Sequence, residues 1–275
     1  MKNDDWLRSE EYAEPRCLLC DEPPGAKPKP KLIPWQRVRE KFDALTGHND
    51  YAAAERHMLY WLQEAQLGGD LLGQFQIHNE LMGLYRKTGQ ETKAFASMEA
   101  ALSLAQELRI ADRPDGATAY LNAATVCNAF SQPERSLPLF ELARAIYDAQ
   151  LEPSDPRMGG LYNNMALTFS ALGRYDEAVA LFRQALAVMA TAPNGTLEQA
   201  ITYLNLADVA FARHDDAQVD GCLETALTLL EDDRLPRNGY YAFVCEKCAP
   251  TFLAYGWTAY GEELQERARE IYAGT

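Results

Sequence analysis

Apolar residues recur at intervals of three and four from Trp35 to Ile271, and short polar turns break the pattern at regular distances. That spacing puts one apolar stripe on one face of a helix, so the chain reads as a series of amphipathic helices. The clearest pair spans Leu161 to Leu186. Gly173 marks its turn, where a residue without Cβ can adopt the left-handed conformation that closes a helix. Ala166 and Ala178 are small where the two helices must cross, and Tyr162, Phe169 and Phe182 fill the space around the crossing.

Weaker copies of this hairpin lie on both sides. Trp35, Val38, Phe42 and Leu45 begin the first, and Ala54, Met58 and Trp61 follow after Asn49-Asp50. The second has Leu81, Met82 and Tyr85, a turn at Gly89, then Ala94, Met98 and Ala101. The third has Tyr120, Ala124 and Cys127, a turn at Ser131-Gln132-Pro133, then Phe140 and Ala143. Beyond the central copy, Tyr203, Leu206 and Ala210 precede a turn at His214-Asp215, and the last copy turns at Gly256 before Leu264 and Ala268. Six hairpins with a period of roughly 40 to 42 residues result. A single hairpin cannot bury its apolar face, so the copies must stack, and the charged backs of the first and last helices suit the ends of an array. Pro138 is expected to kink its helix, and Pro250 to interrupt the last hairpin's first helix.

Residues 1–34 lack this period, and Pro23-Pro24-Gly25-Ala26-Lys27-Pro28-Lys29-Pro30-Lys31 favours extended polyproline geometry. Two units are therefore expected: a tail over 1–34 and a helical array over 35–275 that folds alone as a monomer. A net charge of -14 and a pI near 4.8 disfavour nucleic acid and anionic membranes as partners. No signal-peptide core or membrane span is visible, which gives a cytoplasmic expectation in which the six cysteines are thiols or metal ligands.

The spacing of Gly173, Ala178, Phe182 and Ala185, repeated in Gly89, Ala94, Met98 and Ala101, resembles the signature of the tetratricopeptide repeat family. The long period, with Asn163-Asn164-Met165-Ala166 and Ser136-Leu137-Pro138-Leu139-Phe140, is most similar to the extended kinesin-light-chain type. The resemblance implies an all-α, right-handed superhelix of about six hairpins. It also implies a scaffold whose concave face, lined by the first helices, binds a protein or an extended peptide. Asn122, Asn164 and Asn205 then form a column on that face, preceded by Glu80 and followed by Lys247. Asn79, Arg86, Lys87, Thr125, Asn128, Asn163, Ser170, Asp208 and Phe211 lie near it. An asparagine amide both donates and accepts, so such a column can hold a peptide backbone; the alternative is that it satisfies groups between helices.

Catalysis is not expected, because no phosphate-binding loop, two-histidine metal motif or nucleophile elbow occurs. His48, His57, His78 and His214 are scattered and read as surface or interface residues. The Cys-x-x-Cys pairs Cys17/Cys20 and Cys245/Cys248 could together offer four thiolates to Zn²⁺, which leaves a metal-linked or redox-sensing assembly as an alternative function. Packing or solvent thiols are the other reading of these four, and Cys127 and Cys222 read as core residues. An array of stacked first helices would hold its ends about 50 Å apart, and the tail between Cys20 and Trp35 covers at most about 45 Å. The basic Lys27–Lys31 stretch on an acidic chain suggests in addition that the tail competes for the groove.

Overall fold

The computed structural model describes residues 30–193 and 195–274. Among them run twelve helices: α1 (Trp35–Gly47), α2 (Tyr51–Gly68), α3 (Leu71–Lys87), α4 (Glu91–Glu107), α5 (Pro114–Ala129), α6 (Pro133–Gln150), α7 (Pro156–Ala171), α8 (Tyr175–Met189), α9 (Gly195–Ala212), α10 (Asp216–Leu230), α11 (Gly239–Ala254) and α12 (Thr258–Gly274). They pair in sequence into six hairpins. From α3 onward, successive odd-numbered helices touch one another and form the inner layer, while the even-numbered helices pack between them from outside. The protein is an all-α, right-handed superhelical repeat array.

One turn is repeated six times. Asn49, Gly89, Ser131, Gly173, His214 and Gly256 all have positive φ, and so recur about every 42 residues. After each, an N–H bonds to the carbonyl five residues back: Asp50 to Leu45, Gln90 to Tyr85, Gln132 to Cys127, Arg174 to Phe169, Asp215 to Ala210 and Trp257 to Phe252, all at 2.8–3.0 Å. This is the Schellman closure, which satisfies a carbonyl left over at the end of the helix. Only three of the six positions are glycine; at the others the tertiary fold carries a left-handed residue with a Cβ, at a cost of roughly 1–2 kcal/mol.

Helix α6 continues through Pro138 and α11 through Pro250, so the expected interruption at Pro250 does not occur. Both prolines sit on exposed faces, where water can satisfy the carbonyl that loses its partner.

The core divides into two blocks at α5. Ala119, Ala123, Val126 and Cys127 join the block that begins at Val38, whereas Ala117 and Ala124 join the block that runs to Ala268. Small residues on two faces let α5 serve both. Phe140, Tyr147, Phe182, Tyr241 and Phe252 are the largest fully buried side chains of the second block.

The packing also extends upstream of Trp35. Lys31 N–H donates to Gly68 O at 2.9 Å, and Ile33 N–H donates to Oδ2 of the buried Asp70 at 2.9 Å. Asp70 Oδ1 accepts from Gly73 N–H and caps α3. A Cβ on Gly68 would lie 2.4 Å from Lys31 O, so the strap needs that glycine for its close approach.

The ends of the array meet. Helix α1 touches α11, and a Cβ on Gly239 would lie only 3.6 Å from Gly47 O. Lys87 Nζ lies 4.8 Å from the Tyr51 ring and 4.7 Å from the Phe243 ring, joining the first hairpin to the last. The separation of about 50 Å expected for stacked first helices is therefore not found. It assumed a straight stack, whereas a superhelix accumulates a small rotation at every repeat and here curls back on itself.

Candidate functional site

The inner layer holds two cavities that share Arg86. The first, of about 780 Å³, lies where the ends meet and is lined by α3 (Glu80, Arg86, Lys87), α11 (Tyr240, Phe243, Lys247), and Phe42, Tyr51 and Tyr272 from the terminal hairpins. The second, of about 530 Å³, lies between α5 and α7 and is lined by Arg86, Thr125, Asn128, Asn164 and Leu167. These two inner helices approach each other less closely than α3 and α5 or α9 and α11, which leaves room for the second cavity.

Charge in the first cavity is unevenly matched. Arg39 Nε is 3.7 Å from Asp43 and 4.0 Å from Glu80, and burial pushes the Glu80 carboxyl above its ordinary range. Arg86 and Lys247 reach water, yet protein stands on several sides of them, and the resulting desolvation lowers the pKa of both. Glu198 works against the shift at Lys247, and the positive charge of Arg86 adds to it. Glu198 itself accepts a hydrogen bond from Tyr240 OH.

The asparagines fall into two groups. Asn122 Nδ2 donates to Asn79 Oδ1 at 3.3 Å, and Asn79 Nδ2 donates to Phe75 O at 3.0 Å. Asn205 Nδ2 and Thr202 Oγ1 both donate to Asn163 Oδ1, at 3.0 and 3.2 Å. Asn79, Asn122, Asn163 and Asn205 thus tie neighbouring inner helices together through their side chains. Asn164 differs: Nδ2 donates to Gly160 O within its own helix at 2.8 Å, and the residue lines the second cavity. Asn128 Nδ2 donates to Thr168 Oγ1 at 2.7 Å, while its Oδ1 is buried without a hydrogen-bond partner. A buried acceptor left open beside a cavity is a place for an incoming N–H.

Of the other expected site residues, Thr125 lines the second cavity with Oγ1 bonded to Asn122 O at 2.7 Å. Ser170 is half-buried near the α7 turn, away from both cavities. Asp208 accepts from Tyr255 OH at 2.8 Å, and exposed Phe211 packs against the same tyrosine, with ring centroids 5.4 Å apart. The aromatic wall of the first cavity was not anticipated. Tyr240, Phe243 and Lys247 do fall on one face of α11 at helical spacing, but their partners Tyr51 and Tyr272 are identified only by the meeting of the ends.

Cys17 and Cys20 lie outside the described residues. Cys245 and Cys248 are buried on α11 as free thiols, and burial raises both pKa values, that of Cys248 to about 12. Burial without a metal ion therefore favours the neutral thiols. Cys127 and Cys222 are buried, as core residues should be. Lys27 and Lys29 of the basic tail stretch likewise lie outside the described residues.

The tetratricopeptide repeat family model matches residues 74–149 and 157–232. Among solved structures, the kinesin light chain nearly identical TPR-like repeats of Podosopora anserina align at 20% identity with a TM-score of 0.51, covering 73% of this chain and 96% of that one. BtubC (BKLC) from P. vanneervenii aligns at 19% identity and a TM-score of 0.50, covering 88% and 92%. PilW, a type IV pilus biogenesis factor, aligns at 16% identity and 0.56, covering 89% and 96%. At these identities the likeness is one of fold. No curated protein matches the sequence significantly. Among the described residues, no helix is long and apolar enough to cross a membrane.

Proposed function

The chain belongs to the tetratricopeptide repeat family, and from that premise we propose that it is a non-catalytic scaffold holding an extended segment of a partner protein against its inner face. Repeat proteins of this kind are in general protein-interaction scaffolds. The observation that carries the inner-face assignment is the pair of cavities meeting at Arg86, where open polar groups from α3, α5 and α7 converge. Asn164 and Asn128 hold the bound backbone through amide groups, and Arg86, Lys87 and Lys247 select among side chains. Free thiols at all four described cysteines fit a reducing, cytoplasmic setting, and the chain acts as a monomer whose ends close on each other.

Selection from an unbiased peptide display library against the full chain tests this reading. Selected peptides are expected to lose about 1–3 kcal/mol of affinity on Asn164→Ala, the range for a desolvated hydrogen bond, while the melting temperature stays within a few degrees. Binders indifferent to Asn164→Ala and to Leu167→Glu, yet sensitive to changes on the even-numbered helices, would place the binding surface elsewhere.

A further inference from the structure

Five of the nine large apolar side chains that stand exposed among the described residues are Leu32, Leu59, Tyr60, Leu67 and Leu72. They fall within the strap, α2 and the start of α3, and none of them belongs to either core block. On α2, the spacing of Leu59, Tyr60, Gln63 and Leu67 places them along one outward row. No large apolar side chain is exposed on α4, whose outward residues include Glu91, Lys93, Glu99 and Glu107. The row on α2 continues into a groove of about 370 Å³ lined by Pro34, Arg37, Val38 and Lys41 of the first helix and by His57 and Trp61 of the second. Tyr60 and Trp61 join row to groove, edge to face with ring centroids 5.3 Å apart. Contiguous apolar surface on the outside of one hairpin marks a place that something covers.

The chain itself arrives at this surface. Lys31 N–H is fixed to Gly68 O, one residue past Leu67, so residues 1–29 join the array beside the row. Their apolar run is Cys17-Leu18-Leu19-Cys20, followed by Asp21-Glu22 and a proline-rich spacer over residues 23–30. At polyproline spacing that spacer reaches about 25 Å, whereas Trp61 and His57 lie only about 10 and 17 Å from Gly68 along the helix axis. The reach is ample, and Gly25 lets the spacer bend back. Arg37 and Lys41 make no ion pair or hydrogen bond among the described residues. Glu40, which accepts from Gln36 Nε2 at 3.0 Å, and Glu64 stand on the same two helices without lining the groove. Charge there orients a bound segment more than it drives docking.

We propose that the outer face of the first hairpin is the docking site of the chain's own residues 17–22. Leu18 and Leu19 cover Tyr60, Leu67 and the Trp61 edge of the groove, and Asp21 and Glu22 turn toward Arg37 and Lys41. The segment caps the hairpin that has no repeat before it, and it holds the tail away from the inner face. This docking stands independently of the inner-face reading.

Disulfide trapping in the full chain tests the assignment. Gln63→Cys, at the centre of the exposed row, is paired with Cys20 in a Cys17→Ser background, oxidised glutathione drives bond formation, and mass spectrometry identifies the linked proteolytic peptides. The four described cysteines are buried and do not compete. The link is expected to form at least about tenfold faster than from Glu99→Cys on the outside of α4, and Leu18→Asp with Leu19→Asp should slow it about tenfold. Arg37→Glu with Lys41→Glu should slow it about threefold, and adding Asp21→Lys with Glu22→Lys should restore the rate, as exposed ion pairs would. The covered surface lies outside both core blocks, so these effects are read at α2 and not in the melting transition. A rate from Gln63→Cys no faster than from Glu99→Cys overturns the docking. So does a fast rate that the leucine substitutions leave unchanged, which is what tethering alone produces. Links between chains that increase with protein concentration would make a second copy the occupant and reject the tail.

Discussion

The four middle hairpins and the two terminal ones are held together in different ways. Between α3 and α10 the crossings use residues such as Ala94, Ala101, Ala178 and Ala185, all fully buried, with Phe140 and Phe182 filling the space beside them. Small residues at the crossing bring backbones close, and the packing there is dense. The terminal hairpins meet through Lys87 between two rings and through a glycine-to-glycine backbone approach. The first hairpin is thinly packed, with Val38 and Phe42 the buried residues of α1. The last is rich in aromatics, and Arg267 bonds Glu231 at 2.6 and 3.1 Å to tie α12 to the end of α10. Stacking and closure are therefore separate interactions: the first can be strong while the second stays weak enough to open for a ligand.

The largest expected effect lies in the middle. Phe182→Ala should destabilise the protein by about 3–5 kcal/mol, as large buried truncations do, seen as a lower midpoint in urea. If the loss is no greater than for a truncation in α1, the two regions do not differ in packing.

The strap comes next. Removing residues 1–29 should leave the melting transition in place, whereas removing 1–34 takes away the N–H that pairs with buried Asp70 and should cost about 1–3 kcal/mol. Equal melting of the two truncations would show that the array begins at Trp35, as the hydrophobic pattern suggests.

Closure should respond to a smaller change. Lys87→Met keeps the side-chain length and removes the charge, at an expected cost of about 1 kcal/mol or less in stability. The distance between labels at Gln36 and Glu262 should nonetheless broaden and lengthen. An unchanged distance distribution would mean that the ends are held by something other than the Lys87 contacts.

The smallest effect concerns the turns. Ser131→Gly relieves a left-handed residue with a Cβ and should stabilise by up to about 1 kcal/mol, whereas Gly173→Ala at the matching turn should destabilise by a similar amount. If both substitutions lower the melting temperature, the equivalence of the six turns fails.

Most of the architecture was legible along the chain. The three- and four-residue apolar rhythm located every hairpin, and the glycines at 89, 173 and 256 marked three of the six turns. Ser131 and His214 were legible as turn positions, but their left-handed backbone was not, because neither residue type demands it. The column Asn122, Asn164 and Asn205 was open to two readings, peptide binding or bonds between helices. Asn122 and Asn205 bond asparagines of the neighbouring repeats, since the pairs 79/122 and 163/205 stand side by side only when the helices stack with that rotation. Asn164, one position further along its helix, points to the second cavity instead.

What the sequence determined by itself was local and periodic: which segments are helices, where they turn, and which residues are small enough to sit at a crossing. Those follow from side-chain size, Cβ sterics and the 3.6-residue repeat, which act over a few residues. What only the tertiary structure decided was the sum of the rotations between repeats. A few degrees at each interface determine whether the first and last hairpins stand far apart or touch, and no single interface reveals the total. Because they touch, Lys87 finds Phe243, and Arg86 and Lys247 come to line one cavity together with Asp43 and Glu80.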